Sequence, residues 1–562
     1  MKAIALCYAG GLSEWAFDEV FGGKSAFRLA LEKAAAFPGV RKIALFARQD
    51  FDTARLPGLK SADGGEVDIE IVRAERWMSK NMLAALSQAS AGFDVSYFVW
   101  ADCPLLDVEL AVRMQKRHES YPAEYTYADG WPYGLAPELF APGVLGVLAK
   151  LNGEAEEHIT RDLLFSVLQK DINSFDIETE ISPADYRAHR IFLCADSKRN
   201  LLLVRRFWEL HFLGHTDTER IIREHTSILR TLPAFFAIQV SERCPLPCPL
   251  CPYPHFSAAT YAHGEAPENG AGWFMPPDRF DLLMEKIAAF AGDAVIDLSL
   301  WGELALHPEA EKLCAAVVQR PGLSLLIETS GRGWTGETLE NIAALAEKAP
   351  PRPGGMEAVS WIVSMEAEVP HKQAALAAAG RHGTHTSRSY KPHPEAAAIA
   401  HNVPRTVEPQ SEAEAFTEKV LGLFPKSAYI QAIRCKGNED AIESFYKYWK
   451  TKTQNVIIQK YDSFCGKLPA LLAADISPVI RESCWHIMRD MYILADGSVP
   501  VCREDIQALA GGGQSELGIL GNVFTGELSD IWENGASLYA AHGKKNWTNL
   551  CAVCDEYYTF NF

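Results

Sequence analysis

Phe235-Phe236-Ala237-Ile238-Gln239-Val240 runs through Ser241-Glu242-Arg243 into Cys244-Pro245-Leu246-Pro247-Cys248-Pro249-Leu250-Cys251. The first stretch is a short apolar run that ends at a proline-rich loop, the pattern of a buried strand. Three cysteines spaced C-x3-C-x2-C on one loop can hold three irons of a cubane 4Fe–4S cluster and leave the fourth iron open to a substrate. The prolines narrow the loop's conformations and remove competing N–H donors. A zinc knuckle or loose thiols are the bland alternatives. Zinc closes its shell with four ligands, usually as paired C-x2-C, and no such pair stands close by in sequence.

Five further strand candidates follow this one, at 294–300, 323–328, 359–364, 428–434 and 455–459. Between them lie helical patterns at 279–291, 310–319, 338–347, 412–423 and 440–450. Six strands alternating with helices predict a partial (β/α)6 barrel over a central domain, residues 233–460. A stretch at 374–410, rich in Ala, His, Pro and Ser, reads as a surface excursion. Upstream, residues 1–232 carry strands at 4–7, 42–46, 69–72 and 96–100 among helices at 27–36 and 107–117, which predicts a doubly wound α/β domain with a mostly parallel sheet. Helices at 197–209 and 218–232 lead out of it. Downstream, residues 461–562 form a small α+β domain, glycine-rich at Gly511-Gly512-Gly513. The fold class is α/β.

The composition agrees with a globular chain: 562 residues, 48% apolar, 22% charged and 10% aromatic. With 72 acidic against 54 basic residues the net charge is −18, which disfavours sequence-independent grip on nucleic acid or anionic lipid. No window approaches the ~18 apolar residues of a membrane helix. The opening run Met1–Cys7 ends at Gly10-Gly11 with Glu14 soon after and no small-residue cleavage site, so a cytoplasmic chain is expected. Thirteen cysteines are too dilute for a disulfide scaffold, and clustered cysteines in a reducing compartment point to metal.

Seven of the thirteen fall into two groups, the loop trio and a second set, Cys484, Cys502, Cys551 and Cys554. Ala495-Asp496-Gly497-Ser498 reads as a hairpin turn between strands at 491–494 and 499–502, which brings Cys484 and Cys502 together. The later C-x2-C adds two thiolates. Four cysteines close a site completely, for a 4Fe–4S cluster or for structural zinc. Cys465 reads as a packed small residue or as an extra or substitute ligand.

These motifs resemble the radical S-adenosylmethionine (SAM) superfamily, whose C-x3-C-x2-C loop follows the first strand of a partial barrel and whose open iron binds the amino and carboxylate groups of SAM. Leu300-Trp301-Gly302-Glu303 stands where the family carries a Gly-Gly-Glu segment touching the methionine amino group. Trp301 replaces the first glycine, with Gly302 and Glu303 in register. Leu306-His307-Pro308-Glu309 also looks like the family. Thr329-Ser330-Gly331 is similar to a family Thr-Asn-Gly. Ser364-Met365-Glu366 is similar to a Ser-x-Asp turn near the ribose, and Arg434 stands where relatives place an Arg by the SAM carboxylate. The resemblance therefore implies SAM-binding roles for Gly302, Glu303, Thr329, Ser330, Ser364 and Arg434. Each also has a bland reading: a helix cap at Ser364, a solvated turn acid at Glu303, an Arg434–Asp440 pair. The spacing C-x12-G-x4-C followed by C-x2-C resembles the SPASM extension in its shortened "twitch" form, which implies one auxiliary 4Fe–4S cluster on Cys484, Cys502, Cys551 and Cys554, two clusters in all.

Ala9-Gly10-Gly11, Gly23-Lys24 and Ala101-Asp102-Cys103-Pro104 resemble the GT-A-like nucleotidyltransferases. The resemblance implies that Gly10 and Gly11 let the backbone approach nucleotide phosphates, that Lys24 meets their charge and that Asp102 holds a divalent cation. Leu12-Ser13-Glu14-Trp15 takes the place of the family's longer Arg-bearing loop, so a degenerate docking domain is an equal expectation. End to end, the chain looks like the spiro-SPASM family. What this implies is an enzyme that reductively cleaves SAM to a 5′-deoxyadenosyl radical and takes hydrogen from an unidentified substrate, a peptide side chain or a sugar or nucleotide, with an electron donor such as flavodoxin or ferredoxin as partner. The alternative is a nucleotidyl- or sugar-transferase acting through residues 1–232 with the cysteines structural.

Overall fold

The computed structural model describes residues 2–244, 246, 248, 250–252, 274–365, 410–508 and 515–559. Pro245, Pro247, Pro249, Glu366, the 374–409 part of the alanine-rich stretch and the glycines at 511–513 lie outside the described residues. The chain divides into two units, Met1–Thr231 and Leu232–Phe562.

The first unit is a seven-stranded sheet. Its strands are β1 (Ala3–Tyr8), β2 (Val40–Arg48), β3 (Asp68–Ala74), β4 (Val95–Trp100), β5 (Tyr125–Asp129), β6 (Glu138–Phe140) and β7 (Ile177–Ile181), in the order β3-β2-β1-β4-β6-β5-β7. β6 is antiparallel to its neighbours β4 and β5, and the other pairings are parallel. All six residues of β1 are buried, the signature of a strand covered on both faces. Alternation divides them: Ile4, Leu6 and Tyr8 enter one core with Met82, Leu83, Leu86, Leu145, Leu148 and Leu164. The helix Ala26–Ala35 packs against β1 and β2. It starts where the Ser25 hydroxyl accepts from Arg28 N.

The second unit carries β8 (Phe235–Ile238), β9 (Ala294–Asp297), β10 (Leu323–Thr329), β11 (Val359–Ser364), β12 (Ala428–Arg434) and β13 (Val456–Lys460), paired in parallel and in sequence order. Helices Pro277–Ala291, Ala310–Val318, Gly336–Glu347, Gln410–Leu423 and Glu439–Lys450 alternate with them. Strands β8 to β12 have two faces of opposite use. Phe236, Ile238, Ile296, Leu325, Ile327, Trp361, Val363 and Ile430 join the helices in the large core. Phe235, Ala237, Val295, Leu326 and Ile362, one residue out of phase, line the inner surface.

The expected hairpin at 491–502 is corrected. Gly497 at φ 86° and the Leu494–Ser498 hydrogen bond make the turn, but its two arms pair elsewhere. β14 (Asp490–Ile493) joins the barrel sheet in parallel beside β8, while β15 (Ser498–Pro500) pairs antiparallel with β16 (Ile519–Asn522). The physical reason is burial: Met491 and Ile493 enter the large core and Tyr492 the inner one, so β14 is covered on both faces, as no exposed hairpin arm is. Among the described residues no helix is long and apolar enough to cross a membrane.

Candidate functional site

Strand β8 delivers the chain to the carboxyl end of the sheet, where Gln239 donates from Nε2 to the Trp301 carbonyl (3.3 Å) and accepts at Oε1 from Ala495 N (3.3 Å). The cysteine loop begins five residues later, at Cys244. Cys251 N donates to the Cys248 carbonyl (3.2 Å), closing the C-x2-C half into a turn. All three thiols are half-buried, and Cys244 and Cys251 pack on the inner cluster of Phe235, Ala237, Leu300, Trp301 and Tyr492. Burial raises the Cys244 thiol, and the nearby Glu303 charge pushes the same way.

Glu303 ties this loop to the ends of β9 and β10. Its amide donates to the Arg243 carbonyl (2.7 Å). Its carboxylate accepts from Thr329 Oγ1 at Oε1 (2.7 Å) and from Ser330 N (3.1 Å) and Ser330 Oγ (2.9 Å) at Oε2. Trp334 Nε1 and Gly331 N donate to Thr329 Oγ1 in turn. Burial raises the Glu303 carboxyl although each of these bonds favours its charged form. Gly302 is sterically required, because a Cβ there would stand 1.8 Å from the Ser241 carbonyl oxygen. Trp301 before it takes φ 44°, a left-handed conformation that a glycine would adopt without strain. His307 is structural: Nε2 donates to the Met275 carbonyl (3.0 Å), and Nδ1 accepts from Glu309 N at the start of the next helix.

Ser364 donates to Glu328 Oε1 (2.8 Å), and Gln431 Nε2 donates to the same oxygen (2.9 Å) and to Ser364 Oγ (3.2 Å). The structure thus brings Gly302, Glu303, Thr329 and Ser330 into one knot and Ser364 into a second, with Glu328 and Gln431, which sequence reasoning passed over. Period-two alternation would have found them: Leu326 and Ile362 face inward, so Glu328 and Ser364 two residues on do too. The same parity separates Arg434, which is exposed and shares the phase of the outer residues Ala428 and Ile430. It is not brought to the knot.

The second cysteine set converges. Cys484 precedes the short helix Trp485–Arg489, Cys502 follows β15, and Cys551 sits in the helix Asn549–Val553, whose Thr548 Oγ1 accepts from Cys551 N (3.1 Å). Cys484 lies within electrostatic reach of Cys551 and Cys554, and Cys502 of Cys484 and Cys554. Backbone amides are aimed at two of the sulfurs: Glu504 N donates to Cys502 Sγ (3.5 Å) and Glu556 N to Cys554 Sγ (3.3 Å). N–H donors on sulfur favour thiolate, so the donor set fits a four-thiolate metal group. Cys465 also lies within electrostatic reach of Cys554 and Cys502. That proximity lowers the Cys554 thiol, whereas burial raises Cys484 and Cys502.

In the first unit the residues expected at a nucleotide site each meet a neighbour outside that set. A Cβ on Gly10 would stand 2.1 Å from Trp77 Cδ1, so the Trp77 indole fills the approach that glycine would open to a phosphate. Gly11 has only Tyr8 nearby. Lys24 pairs with Glu32 (2.6 Å). Asp102, 1% exposed, receives both guanidinium arms of Arg161 (2.6 and 3.3 Å), which also reaches Asp196 (3.0 Å) and lies over Trp100 and Tyr133. A guanidinium stands where a divalent cation would sit, and the residues do not fit that ion. Arg161 carried no motif that sequence reasoning could read.

Residues 484–555 match the SPASM family, described as an iron-sulfur cluster-binding domain. An uncharacterized protein of Treponema pallidum (strain Nichols) is 33% identical over 401 residues, 71% of this chain and 98% of that protein. Among solved structures, BtrN in complex with AdoMet and 2-DOIA is 16% identical over 58% of this chain and 93% of its own, with a TM-score of 0.31. A cytidylyltransferase from Leptospira borgpetersenii serovar Hardjo-bovis is 14% identical over 41% of this chain and 95% of its own, with a TM-score of 0.33. At these scores the likeness to solved structures carries no functional weight.

Proposed function

The chain belongs to the same family as the Treponema pallidum protein, and we propose that it is a radical SAM enzyme with an auxiliary iron–sulfur cluster. The observation that carries this reading is the C-x3-C-x2-C loop, set directly after the first barrel strand and tied through Glu303 to the ends of the next two. Cys244, Cys248 and Cys251 would hold the SAM-binding 4Fe–4S cluster, and Cys484, Cys502, Cys551 and Cys554 the auxiliary one. When bound and reduced, the first cluster supplies one electron that splits SAM into methionine and a 5′-deoxyadenosyl radical, which takes hydrogen from the substrate.

This chain's own residues bind, orient and shield. In this reading the Glu303 carboxylate, held by Thr329 Oγ1, Ser330 N and Ser330 Oγ, presents its negative charge to the methionine ammonium. Thr329 and Ser330 fix its angle. Glu328 Oε1 is saturated by Ser364 and Gln431, leaving Oε2 to accept from a ligand hydroxyl. Phe235, Val295, Leu326, Ile362 and Tyr492 form an apolar floor that keeps water from the reacting groups. In this reading residues 1–232, 233–460 and 461–562 serve as a transferase-like domain, a barrel and a cluster domain. An electron donor such as flavodoxin or ferredoxin feeds the site, and the substrate is a peptide side chain or a sugar or nucleotide. What weighs against the transferase alternative is that Asp102 is paired with Arg161.

Anaerobically prepared protein should hold about eight irons per chain as two cubanes. It should form 5′-deoxyadenosine from SAM under dithionite, and Cys248→Ala should reduce this to background. Zinc in place of iron, with no 5′-deoxyadenosine, would refute the assignment.

A further inference from the structure

The barrel sheet ends at two edges, β13 and β14, and they are finished differently. All four residues of β14 are buried, whereas all five of β13, Val456-Ile457-Ile458-Gln459-Lys460, are half-buried. Only one side of β13 is paired. Ile430 N donates to the Asn455 carbonyl and Ile430 stands opposite Val456, so residues 455, 457 and 459 turn their peptide groups toward β12. Val456, Ile458 and Lys460 turn theirs away, and among the described residues the Ile458 N–H and C=O meet no backbone partner. A free sheet edge is a template for another extended chain, and proteins guard such edges with charge. The edges of the first unit's sheet follow that rule: β3 carries Asp68, Glu70 and Arg73, and β7 carries Glu178 and Glu180 paired to Arg113 and Arg117. β13 instead presents three apolar residues and Gln459. Its one charge, Lys460, is drawn to Asp555 (3.0 Å) and Glu556 and is 9% exposed.

We propose that β13 binds an extended, basic segment of the substrate polypeptide as an eighth strand of this sheet. Periodic N–H and C=O groups along an edge are matched by one chemistry, another extended backbone. Charge sets its sign: Asp462, Glu504, Asp555 and Glu556 gather at the carboxyl end of β13, where Lys460 and Arg503 are the cations paired with them. The same reasoning disfavours a second copy of this chain, which carries a net charge of −18. Alternation carries across a ladder, so every second side chain of the added strand faces the inner surface with Ile457 and its β12 partner Gln431. That the segment is the substrate rests on the radical SAM reading given above; that the edge binds a strand does not.

The test uses the anaerobically reconstituted full chain. Dodecapeptides selected on it from a random phage-displayed pool are synthesised with a fluorescent label, and binding is read by anisotropy. They should carry an excess of Lys and Arg. Ile458→Pro removes the outward N–H, while the bonds to β12 belong to residues 457 and 459. It should weaken binding about tenfold, whereas Ile458→Val should leave it unchanged. N-methylated peptides give a second reading on the unaltered protein. In an added strand one alternate set of N–H groups faces β13 and the other faces away, so methylating one set should abolish binding and methylating the other should spare it. Peptides that bind Ile458→Pro as tightly as the parent overturn the proposal. If Ile458→Pro does not fold, equal tolerance of both methylation sets overturns it instead, as does a pool that yields no binder or only acidic ones. A parent dimer that Ile458→Pro makes monomeric assigns the edge to a second copy and overturns it too. Peptide binding in a protein that forms no 5′-deoxyadenosine from SAM under dithionite fails the radical SAM reading and leaves the docking edge standing.

Discussion

Ser241 and Gly302 meet backbone to backbone, and that contact decides how the cysteine loop approaches the second strand. A Cβ on Gly302 would lie only 1.8 Å from the Ser241 carbonyl oxygen, so no side-chain rotation relieves an alanine; the backbone itself must move. Gly302→Ala should destabilise the second unit by about 3 kcal/mol, read as a lower urea midpoint at unchanged slope. Because the neighbouring Glu303 amide donates to the Arg243 carbonyl, the same change should weaken iron retention at Cys244, Cys248 and Cys251. Glu303→Gln is the milder probe. An amide oxygen still accepts, but its NH2 faces donors from Ser330 and Thr329, so one buried bond is lost at a cost of roughly 1–3 kcal/mol. If Gly302→Ala unfolds like the unaltered protein, the close approach does not exist.

At the scale of elements, what was legible follows from periodicity. The sheet strands 359–364 and 428–434 were bounded to the residue because each is an apolar run between breakers, and the intervening helices show their 3.6-residue period plainly. β14 escaped because a strand buried on both faces has the same composition whether it ends a hairpin or extends a parallel sheet. The polar inner row at Asp297, Glu328, Ser364 and Gln431 was legible in the alternation, though only once the inner phase was known. Asp297, the last residue of β9, shows its cost. Burial first, then the Glu328 charge, raises its carboxyl from 3.8 to about 7, against the opposing bonds from Ser299. An acid raised on folding gives stability that is complete below its unfolded value and is lost as pH rises through the folded one. The second unit should therefore lose stability between about pH 4 and about pH 7 on this group's account. Asp297→Asn should remove that slope, gaining up to about 4 kcal/mol over the parent at pH 8, since three units at about 1.4 kcal/mol each set the ceiling. Urea midpoints of both proteins at pH 4.5 and pH 8 decide it; parallel curves would refute the assignment.

At the scale of the whole molecule, the two units differ in how far motif and structure agree. In the second, cysteines far apart in sequence come within electrostatic reach of one another. In the first, the residues expected to build a nucleotide site each meet a partner that no motif marks: Gly10 meets Trp77, Lys24 meets Glu32 and Asp102 meets Arg161. Arg161 was illegible because its partners Asp102 and Asp196 lie far from it in sequence and meet it only through the fold. The consequence is measurable on the full-length protein. Two carboxylates already engaged by one guanidinium, bidentate on Asp102, have their oxygens turned away from a divalent ion, so Mn2+ titrated into it, with free ion followed by paramagnetic resonance, should show no stoichiometric site that Asp102→Asn removes. Arg161→Ala leaves Asp102 buried without its counter-charge, a loss of about 3–5 kcal/mol, and should lower the melting temperature of the first unit. Added Mn2+ should restore part of that loss in Arg161→Ala and none in the parent, because only the variant has a carboxylate pair free to take a cation. A parent protein that binds one Mn2+ per chain, and loses it in Asp102→Asn, would show that the guanidinium yields to metal and would return the first unit to metal-dependent chemistry.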